Sequence, residues 1–284
     1  MFKNRYLCIK REKAGKLFGM KTLFIVGASS GIGYATADRF SKENYRVINL
    51  SRTECNLPGV INFCCDVTDR KTLDECLNKI KSDYRIDCFI YSAGFSMAAP
   101  LEYVKEGDYR YLYEVNFFAF VHCLQILIPS LRKTAGTACI ISSIGAIQPI
   151  PFDCYYSSSK AALNALCATL RYELDADGIN IISVMPGGTK TGFTHKRKIY
   201  SPAEADGYTK QMNLAVDSLA KMEQSGMDAK KVANTVFYRC ENACMSHTFS
   251  SGIKNKLIAL FVKLMPQSIC HFIGKLMFFS EENE

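Results

Sequence analysis

Repeated metal-ligand spacing and a regular cysteine framework are both missing from this sequence. The vicinal Cys64 and Cys65 and the single pair Cys240 and Cys244 do not recur, as zinc-ligand pairs do, among the thirteen cysteines. Met1 is not followed by an apolar signal-peptide core. We therefore predict no metal site and expect a cytoplasmic protein whose thiols stay reduced, many of them in the core.

Net charge is scarce outside the N-terminal segment. The chain has a formal charge of +8, and residues 1–21 account for +6 because seven lysines and arginines face only Glu12 there. The other 263 residues carry +2, which is too little for a basic face that binds nucleic acid. We expect no nucleic-acid partner and interpret residues 1–19 as a solvated basic extension.

No linker or internal repeat interrupts residues 20–251, where short apolar runs alternate with longer helical segments. Uniformly apolar runs predict strands covered on both faces, and helices between them predict parallel crossovers. The expected fold is α/β, a doubly wound parallel sheet of Rossmann type that forms a single domain over residues 20–251. The predicted strands are 22–28, 45–51, 59–67, 86–94, 137–143 and 179–188, and the predicted helices are 32–44, 69–82, 108–132 and 155–175.

The segment GASSGIG, residues 27–33, follows the first predicted strand and opens the first predicted helix. Glycines allow a tight turn and a close approach of the backbone to a pyrophosphate, and the N–H groups of a helix start attract the anion. A tight turn with close helix–strand packing is the alternative explanation. The position beyond the carboxyl end of a strand favours a nucleotide site.

A hydroxyl-rich turn and a cation begin the helix predicted at 155–175. Tyr156 and Lys160 lie one helical turn apart and share a face with apolar residues that pack inward. This spacing alone is weak, since a second Tyr-x-x-x-Lys begins at Tyr6. Its context is more specific, because Ser143 ends the preceding strand thirteen residues before Tyr156. A proton donor and a cation at one helix start favour a catalytic site.

Several independent motifs together resemble the short-chain dehydrogenase/reductase family, over about residues 21–193. They are GASSGIG, YSSSK at 156–160 with Ser143 upstream, CDV at 65–67, YSAG at 91–94, Asn116 in the long helix, and PGGTKT at 186–191. The resemblance implies an oxidoreductase that transfers a hydride between a nicotinamide dinucleotide and a carbonyl or alcohol of a small molecule. It also implies a homo-oligomer, because members commonly pair through their two long helices.

Four residues are the catalytic candidates that the resemblance implies. Tyr156 would deliver the proton, Ser143 would orient the carbonyl oxygen, and Lys160 would hold the ribose hydroxyls. Because a free phenol has a pKa near 10, we expect the Lys160 cation to lower the pKa of Tyr156 toward working pH. Asn116 would position water that connects Lys160 with solvent, although a buried asparagine satisfied by a backbone carbonyl is an alternative. A dinucleotide-binding sensor or membrane-surface interaction protein without turnover is the competing function.

The same resemblance implies which residues contact the dinucleotide. They are Gly27, Ser29, Ser30, Gly31, Ile32, Gly33, Ser51, Arg52, Asp66, Val67, Ser92, Ala93, Gly94, Tyr156, Lys160, Pro186, Gly187, Thr189 and Thr191.

The sequence departs from the family pattern at two neighbouring strands. Val26 replaces the usual threonine before the first glycine, and Tyr91 and Ser92 replace the usual paired asparagines. We expect apolar packing to replace the polar link between these strands, with a consequence for cofactor affinity rather than for catalytic identity.

The end of the second predicted strand favours NADP(H). Ser51 and Arg52 occupy the place where an NAD site presents an acid to the ribose 2′-hydroxyl, and a guanidinium can pair with a 2′-phosphate. A solvent-exposed arginine at a strand end is the alternative.

Apolar side chains near the reacting groups favour an apolar ketone or aldehyde, of a steroid-, retinoid- or acyl-like class. The residues expected around the substrate are Phe95, Met97, Ile144, Phe152 and Phe193.

The C-terminal tail, residues 252–284, is apolar but has no run long enough to span a bilayer. Its longest apolar run, 257–262, has six residues, against the roughly twenty that a spanning helix needs. We expect two amphipathic helices broken near Pro266. Lysines along an apolar surface suit peripheral contact with a membrane. Packing of this face on the domain itself is the alternative, and the sequence does not decide between them.

Overall fold

The computed structural model describes residues 19–242 and 248–279, so the predicted extension at 1–19 lies outside the described residues except for Gly19. The strands are β1 (Thr22–Val26), β2 (Arg46–Ser51), β3 (Ile61–Cys64), β4 (Cys88–Tyr91), β5 (Met97–Ala98), β6 (Thr137–Ile141), β7 (Asn180–Met185), β8 (Thr189–Lys190), β9 (Lys198–Ile199), β10 (Met227–Asp228) and β11 (Thr248–Ser250). The helices are α1 (Gly31–Ser41), α2 (Arg70–Asp83), α3 (Glu106–Tyr113), α4 (Ala119–Thr134), α5 (Cys154–Leu174), α6 (Thr209–Gln224), α7 (Ala229–Glu241), α8 (Ile253–Leu264) and α9 (Gln267–Phe279).

Seven parallel strands form the central sheet in the order β11-β7-β6-β4-β1-β2-β3. The chain leaves β3 at one edge and returns to β4 beside β1, so the strand order reverses between β1 and β4. Open α/β sheets bind ligands beyond the carboxyl ends of the strands at such a reversal. The predicted doubly wound fold is confirmed, and its geometry places a crevice after β1 and β4.

Helices cover both faces of the sheet. Successive residues of each buried strand point to opposite sides, so each strand contributes side chains to two apolar cores. Phe24 of β1 joins one apolar core with Leu73 of α2 and Phe120 of α4. Ile25, the next residue, joins the other core with Val232 of α7. This two-sided burial explains why the strands are apolar throughout.

Cysteines fill part of these cores. The eleven cysteines that the structure describes are unpaired, and seven of them are buried. Cys123 and Cys167 belong to one core, and Cys88 and Cys139 to the other. The prediction that many cysteines fill core positions is confirmed.

The helix Glu106–Thr134 combines α3, α4 and a π-helical stretch at Glu114–Phe118 that joins them. Among the described residues it is the one helix long and apolar enough to cross a membrane by length and composition, with a mean hydropathy of 1.4. Its Leu124 and Leu127 are buried in the core of the sheet.

The tail forms two helices, α8 and α9, that are separated by Met265 and Pro266, as predicted. One side of the pair packs on the rest of the protein. Phe278 and Gly274 of α9 are buried, and the Ser218 hydroxyl of α6 donates to the Phe278 carbonyl at 3.4 Å. At least one face of the tail is therefore integrated into the fold.

Candidate active site

A cavity of about 1520 Å³ lies beyond the carboxyl ends of the sheet strands. It is larger than a typical site for one small ligand, so it has room for a dinucleotide and a substrate together. The segments that follow β1, β2, β3, β4, β6 and β7 all contribute to its lining. All predicted site residues except Gly33 and Asn116 line this cavity.

The glycine loop has the geometry that a dinucleotide requires. Gly27 and Gly31 have φ angles of 91° and 60°, in the left-handed region that favours glycine. A side chain at Gly27 would meet the Ala93 backbone nitrogen at 2.8 Å and would close the gap between loop and sheet. Gly33 lies behind the cavity, where an added Cβ would meet the Gly27 carbonyl oxygen at 2.0 Å. Gly33 therefore serves close helix–strand packing, and the loop fits a pyrophosphate at the start of α1.

The end of β2 presents a cation and no carboxylate of its own to the cavity. Arg52 is 73% exposed, and its Nη1 lies 4.0 Å from Asp66 Oδ2. An ion pair this exposed and this long holds the guanidinium weakly. The Ser51 hydroxyl, by contrast, is buried and bonds Asn49 and the Thr53 carbonyl.

Tyr156 and Ser143 meet at the inner end of the cavity. Tyr156 is 8% exposed, and its ring lies 5.9 Å from the ring of Phe193. Ser143 caps a short 3₁₀ helix by accepting from the Gly145 N–H at 3.0 Å. The first turn of α5 and the end of β6 thus bring together two hydroxyl groups that are distant in sequence.

Lys160 is buried one turn after Tyr156. Its ammonium lies 5.7 Å from the centre of the Tyr156 ring and donates to the Ile141 carbonyl at 3.0 Å. An added Cβ at Gly94 would lie 3.4 Å from this ammonium, so the glycine leaves it open to the cavity. The Lys160 ammonium therefore lies between the part of the cavity that the glycine loop borders and Tyr156.

Asn116 lies under the site, within the π-helical stretch, and is fully buried. Its side-chain oxygen accepts from the Phe95 N–H at 3.0 Å, and its amide donates to the Phe95 carbonyl at 2.9 Å. Its amide also donates to the Ser159 hydroxyl at 3.3 Å. The backbone of Phe95 therefore satisfies the buried Asn116 side chain, which is the alternative considered for this residue. That Asn116 positions water stays a prediction.

Burial controls the protonation of two candidate catalytic groups, Tyr156 and Lys160. Burial raises the pKa of Tyr156 above its usual range, although a hydrogen bond with Ser143 opposes the shift. Burial also lowers the pKa of Lys160 to about 8. The expected lowering of the tyrosine pKa by Lys160 is wrong for this structure, because the desolvated phenolate costs more than the neighbouring charges return. Tyr156 is thus held as a neutral phenol.

A chain of polar groups, three of them buried, borders the tyrosine, and the sequence did not reveal it. Ser96 donates to Asp153 Oδ2 at 2.7 Å and accepts from Arg197 Nε at 2.8 Å. Arg197 also donates to Glu223 Oε1 at 2.7 Å. Burial raises the pKa of Asp153 to about 6. These four residues come from four separate segments, so no local spacing could have predicted the chain.

Three of the five residues expected around the substrate line the cavity, namely Phe95, Ile144 and Phe193. The other two predictions are wrong. Met97 packs in a separate small core with Leu112 and Tyr200. The rings of Tyr208 and Phe279 contact Phe152, which has a φ of 59°.

Helices α6, α8 and α9 supply most of the apolar wall instead. The apolar lining residues here are Leu219, Met222, Leu257, Ile258, Leu260, Phe261, Val262, Leu264, Met265, Ile273, Met277 and Phe278, of which Met265 lies between α8 and α9. Asn255 of α8 reaches the nucleotide side, since an added Cβ at Gly187 would lie 2.3 Å from its Oδ1. The apolar stripe of the tail was the sequence signal for this wall.

Two contacts that brace the nucleotide side were also missed. The Asn49 side chain accepts from the Ala28 N–H at 3.0 Å and links the glycine loop to β2. Lys196 donates to the Ser30 hydroxyl at 3.1 Å from across the cavity. The basic run at 196–198 was the available signal for Lys196.

The departures from the family pattern pack as expected. Val26 and Tyr91 are partners on adjacent strands and share one core. The Tyr91 hydroxyl donates to the Val115 carbonyl at 2.6 Å, which ties β4 to the π-helical stretch.

The parallel sheet, the glycine loop and the cavity at the strand-order reversal define an α/β protein of the nucleotide-binding Rossmann type. The chain matches the profile of the short chain dehydrogenase family over residues 21–200. It therefore belongs to the short-chain dehydrogenase/reductase family and is an oxidoreductase that uses NAD or NADP.

Relatives and solved structures agree with this assignment. A 3-ketodihydrosphingosine reductase from Bacteroides thetaiotaomicron is 30% identical over 218 residues, which cover 75% of this chain and 81% of that relative. A short-chain dehydrogenase from Streptomyces avermitilis superposes with a TM-score of 0.74 at 25% identity, covering 94% of this chain and 100% of that one. A short-chain dehydrogenase from Burkholderia cenocepacia in complex with NADP gives a TM-score of 0.72 at 20% identity, covering 89% and 97%. The last similarity concerns the fold alone.

Proposed function

We propose that the protein reduces an apolar ketone or aldehyde with NADPH, or runs the reverse oxidation of the alcohol. The observation that supports this most is the placement of Tyr156, Ser143 and Lys160 in one cavity, between a glycine loop and an apolar wall. A bound dinucleotide supplies or accepts the hydride. The remaining work belongs to side chains of this chain.

Proton delivery is assigned to Tyr156 in this proposal. Reduction places negative charge on the carbonyl oxygen, so a donor must stand beside it. Burial keeps the phenol neutral, and Ser143 offers a second hydroxyl to the same oxygen. Lys160, whose pKa is about 8, is a cation that can orient the ribose hydroxyls. Asn116 is proposed to hold the water through which that proton is replaced.

Preference for NADP(H) over NAD(H) is supported by Arg52. The guanidinium is exposed, lines the cavity and has only a 4.0 Å contact with Asp66 to give up. A 2′-phosphate would pair with it, and no carboxylate at the end of β2 would repel that phosphate.

The cofactor proposal is tested by measuring the KM for NADPH and NADH in the wild type and in Arg52→Ala. We expect the variant to raise the KM for NADPH by roughly tenfold, the value of one charge-assisted contact, and to leave NADH unchanged. Lys71→Ala, which removes an exposed cation at the start of α2, is the control. Equal use of both dinucleotides, unchanged in Arg52→Ala, contradicts the proposal.

The apolar character of the substrate is supported by the wall from α6, α8 and α9. A cavity lined in this way binds hydrocarbon more readily than a hydroxylated sugar. The relative named 3-ketodihydrosphingosine reductase is consistent with an acyl-like substrate.

Two proposals about assembly remain from the sequence. Peripheral contact with a membrane is supported by exposed apolar residues on the tail, including Leu257 and Phe272.

A homo-oligomer formed through the two long helices is supported by exposed aromatic residues on them, Phe118 and Tyr172. Light scattering after gel filtration measures the oligomeric state, and a monomer at micromolar concentration contradicts the second proposal.

One assay distinguishes the proposed reductase from the competing function, a dinucleotide-binding sensor without turnover. NADPH absorbance is followed against long-chain aldehydes, alkyl ketones, steroid ketones and aldohexoses. We expect oxidation of NADPH with the apolar carbonyls. Turnover of the sugars alone contradicts the apolar substrate, and NADPH binding without any turnover supports the sensor.

A further inference from the structure

Helices α8 and α9 have two apolar sides. Their inner residues line the substrate end of the cavity, as described above. Their outer side exposes large apolar residues that a protein in water normally buries, since exposed patches of this kind mark interaction surfaces. We call this outer side the tail surface; it comprises Ile253, Leu257, Leu260, Leu264, Met265, Ile269, Phe272, Leu276 and Met277.

The two sides meet at the mouth of the cavity. Leu257, Leu260 and Leu264 are 61%, 53% and 65% exposed, and each of them also lines the cavity. Met265 and Met277 have the same double placement. The apolar end of the cavity therefore opens through the tail surface.

The charges around the tail surface favour an anionic partner. Residues 253–279 contain four lysines, all exposed, and no aspartate or glutamate. The nearest acids in sequence are three glutamates among the last five residues, which lie outside the described residues. Leucine, methionine and phenylalanine interspersed with lysine are the composition of helices that lie in the interface of an anionic bilayer.

A ridge of aromatic rings extends the tail surface onto the domain. The ring of Phe279 contacts that of Phe152, which contacts Tyr208, which in turn contacts Tyr103. Tyr103 and Tyr208 are both partly exposed, at 39% and 36%. Tyrosine is enriched where a protein meets the headgroup level of a membrane.

We propose that the tail surface docks on an anionic lipid bilayer and that the substrate, a membrane-dissolved lipid with a carbonyl group, enters the cavity directly from the hydrocarbon phase. The proposal rests on the reductase function given above. It assigns α8 and α9 two tasks, the wall of the site and its contact with lipid, because the same helices supply both sides and the cavity opens between them. A soluble carbonyl compound reaches Tyr156 without this contact.

The first test is co-sedimentation of the full-length protein with vesicles of phosphatidylcholine alone or mixed with phosphatidylglycerol. We expect binding to the mixed vesicles, and a loss of roughly tenfold in Phe272→Ser/Leu276→Ser, because two inserted apolar side chains are removed. Neither residue lines the cavity. Tyr238→Ser removes an aromatic residue that is 58% exposed on α7, outside the tail surface, and is the matched control. Wild-type protein that stays in the supernatant with both vesicles overturns the proposal.

The second test compares turnover of two probes with NADPH, hexadecanal dissolved in the mixed vesicles and cyclohexanone in buffer. We expect Phe272→Ser/Leu276→Ser to reduce hexadecanal about tenfold more slowly than the wild type and to reduce cyclohexanone at the wild-type rate. Equal rates on vesicle-bound hexadecanal in both proteins overturn entry from the bilayer. Absence of turnover of either probe in the wild type speaks against the reductase proposal, and sedimentation then decides membrane docking by itself.

Discussion

Asp153 and Lys160 are ionisable groups that the fold buries almost completely. Burial raises the pKa of Asp153 to about 6 and lowers the pKa of Lys160 to about 8. Both shifts favour the neutral form, and each makes the charged form costly near neutral pH. Such groups persist where the charge serves a site.

Asp153 gives a pH dependence that can be measured. Its carboxyl has a higher pKa in the folded protein than the 3.8 of an unperturbed aspartate, so its contribution to stability is largest below pH 4 and is lost as the pH rises through about 6. Relative to Asp153→Asn, the wild type should lose about 3 kcal/mol of unfolding free energy across this range. Urea unfolding at several pH values measures it. A difference between the wild type and Asp153→Asn that stays flat across this pH range contradicts the account.

The sequence predicted the candidate catalytic residues better than the side chains around them. Ser143, Tyr156 and Lys160 carry recognisable spacing, and the fold brings them to one cavity. Arg197 and Glu223 were missed because they come from a loop and a distant helix end and meet only through tertiary contacts. The direction of the Tyr156 pKa shift was missed for the same reason, since burial is a property of the fold.

Most elements were predictable, but irregular backbone was not. The long helix was expected at 108–132 and is observed at Glu106–Thr134. Each of the six predicted strand ranges contains one strand of the central sheet, whereas β11, α6 and α7 were not predicted. Nothing in the sequence indicated the π-helical stretch that contains Asn116. Such a stretch inserts an extra residue into a helix and is frequent at functional sites. Its position depends on contacts with β4 that no helical period encodes.

Tyr91 holds this stretch and provides a test at the scale of the element. Tyr91→Phe removes the hydrogen bond to the Val115 carbonyl, so we expect a loss of about 1 kcal/mol in unfolding free energy, together with slower turnover, because Asn116 adjoins that carbonyl. Chemical denaturation and NADPH oxidation measure the two effects. Tyr113→Phe removes an exposed hydrogen bond to Ser158 and should change stability by less than about 0.5 kcal/mol. Equal losses in both variants would count against a special role for Tyr91.

At the scale of the whole molecule, composition alone cannot decide what the apolar stripe of the tail contacts. An apolar stripe predicts that a helix covers something, but the same residues suit a protein core and a membrane. In the structure, Phe278 is 4% exposed while Phe272, less than two turns away, is 62% exposed. Packing on the domain and contact with a membrane, the two alternatives that the sequence left open, are therefore compatible. The division of the chain at residue 251 stays a prediction.

These two phenylalanines separate the inner and outer sides of α9. We expect Phe278→Ala to destabilise the protein by about 3 kcal/mol, because it leaves a cavity between α9 and α6, and Phe272→Ala to change stability by less than about 0.5 kcal/mol. Thermal and urea unfolding in the absence of lipid give both values. Similar losses in the two variants would show that the tail does not pack as the structure has it.

The central claim is that a buried phenol delivers the proton in an NADPH-dependent reduction, and Tyr156→Phe tests it most directly. Tyr155→Phe is the matched control, because Tyr155 stacks on Tyr109 at 5.0 Å and lies outside the cavity. With an apolar carbonyl that the wild type reduces, we expect Tyr156→Phe to slow NADPH oxidation roughly 10²–10⁴-fold while NADPH affinity, measured by calorimetry, is retained. Tyr155→Phe should keep the wild-type rate. A Tyr156→Phe protein that oxidises NADPH as fast as the wild type contradicts the account.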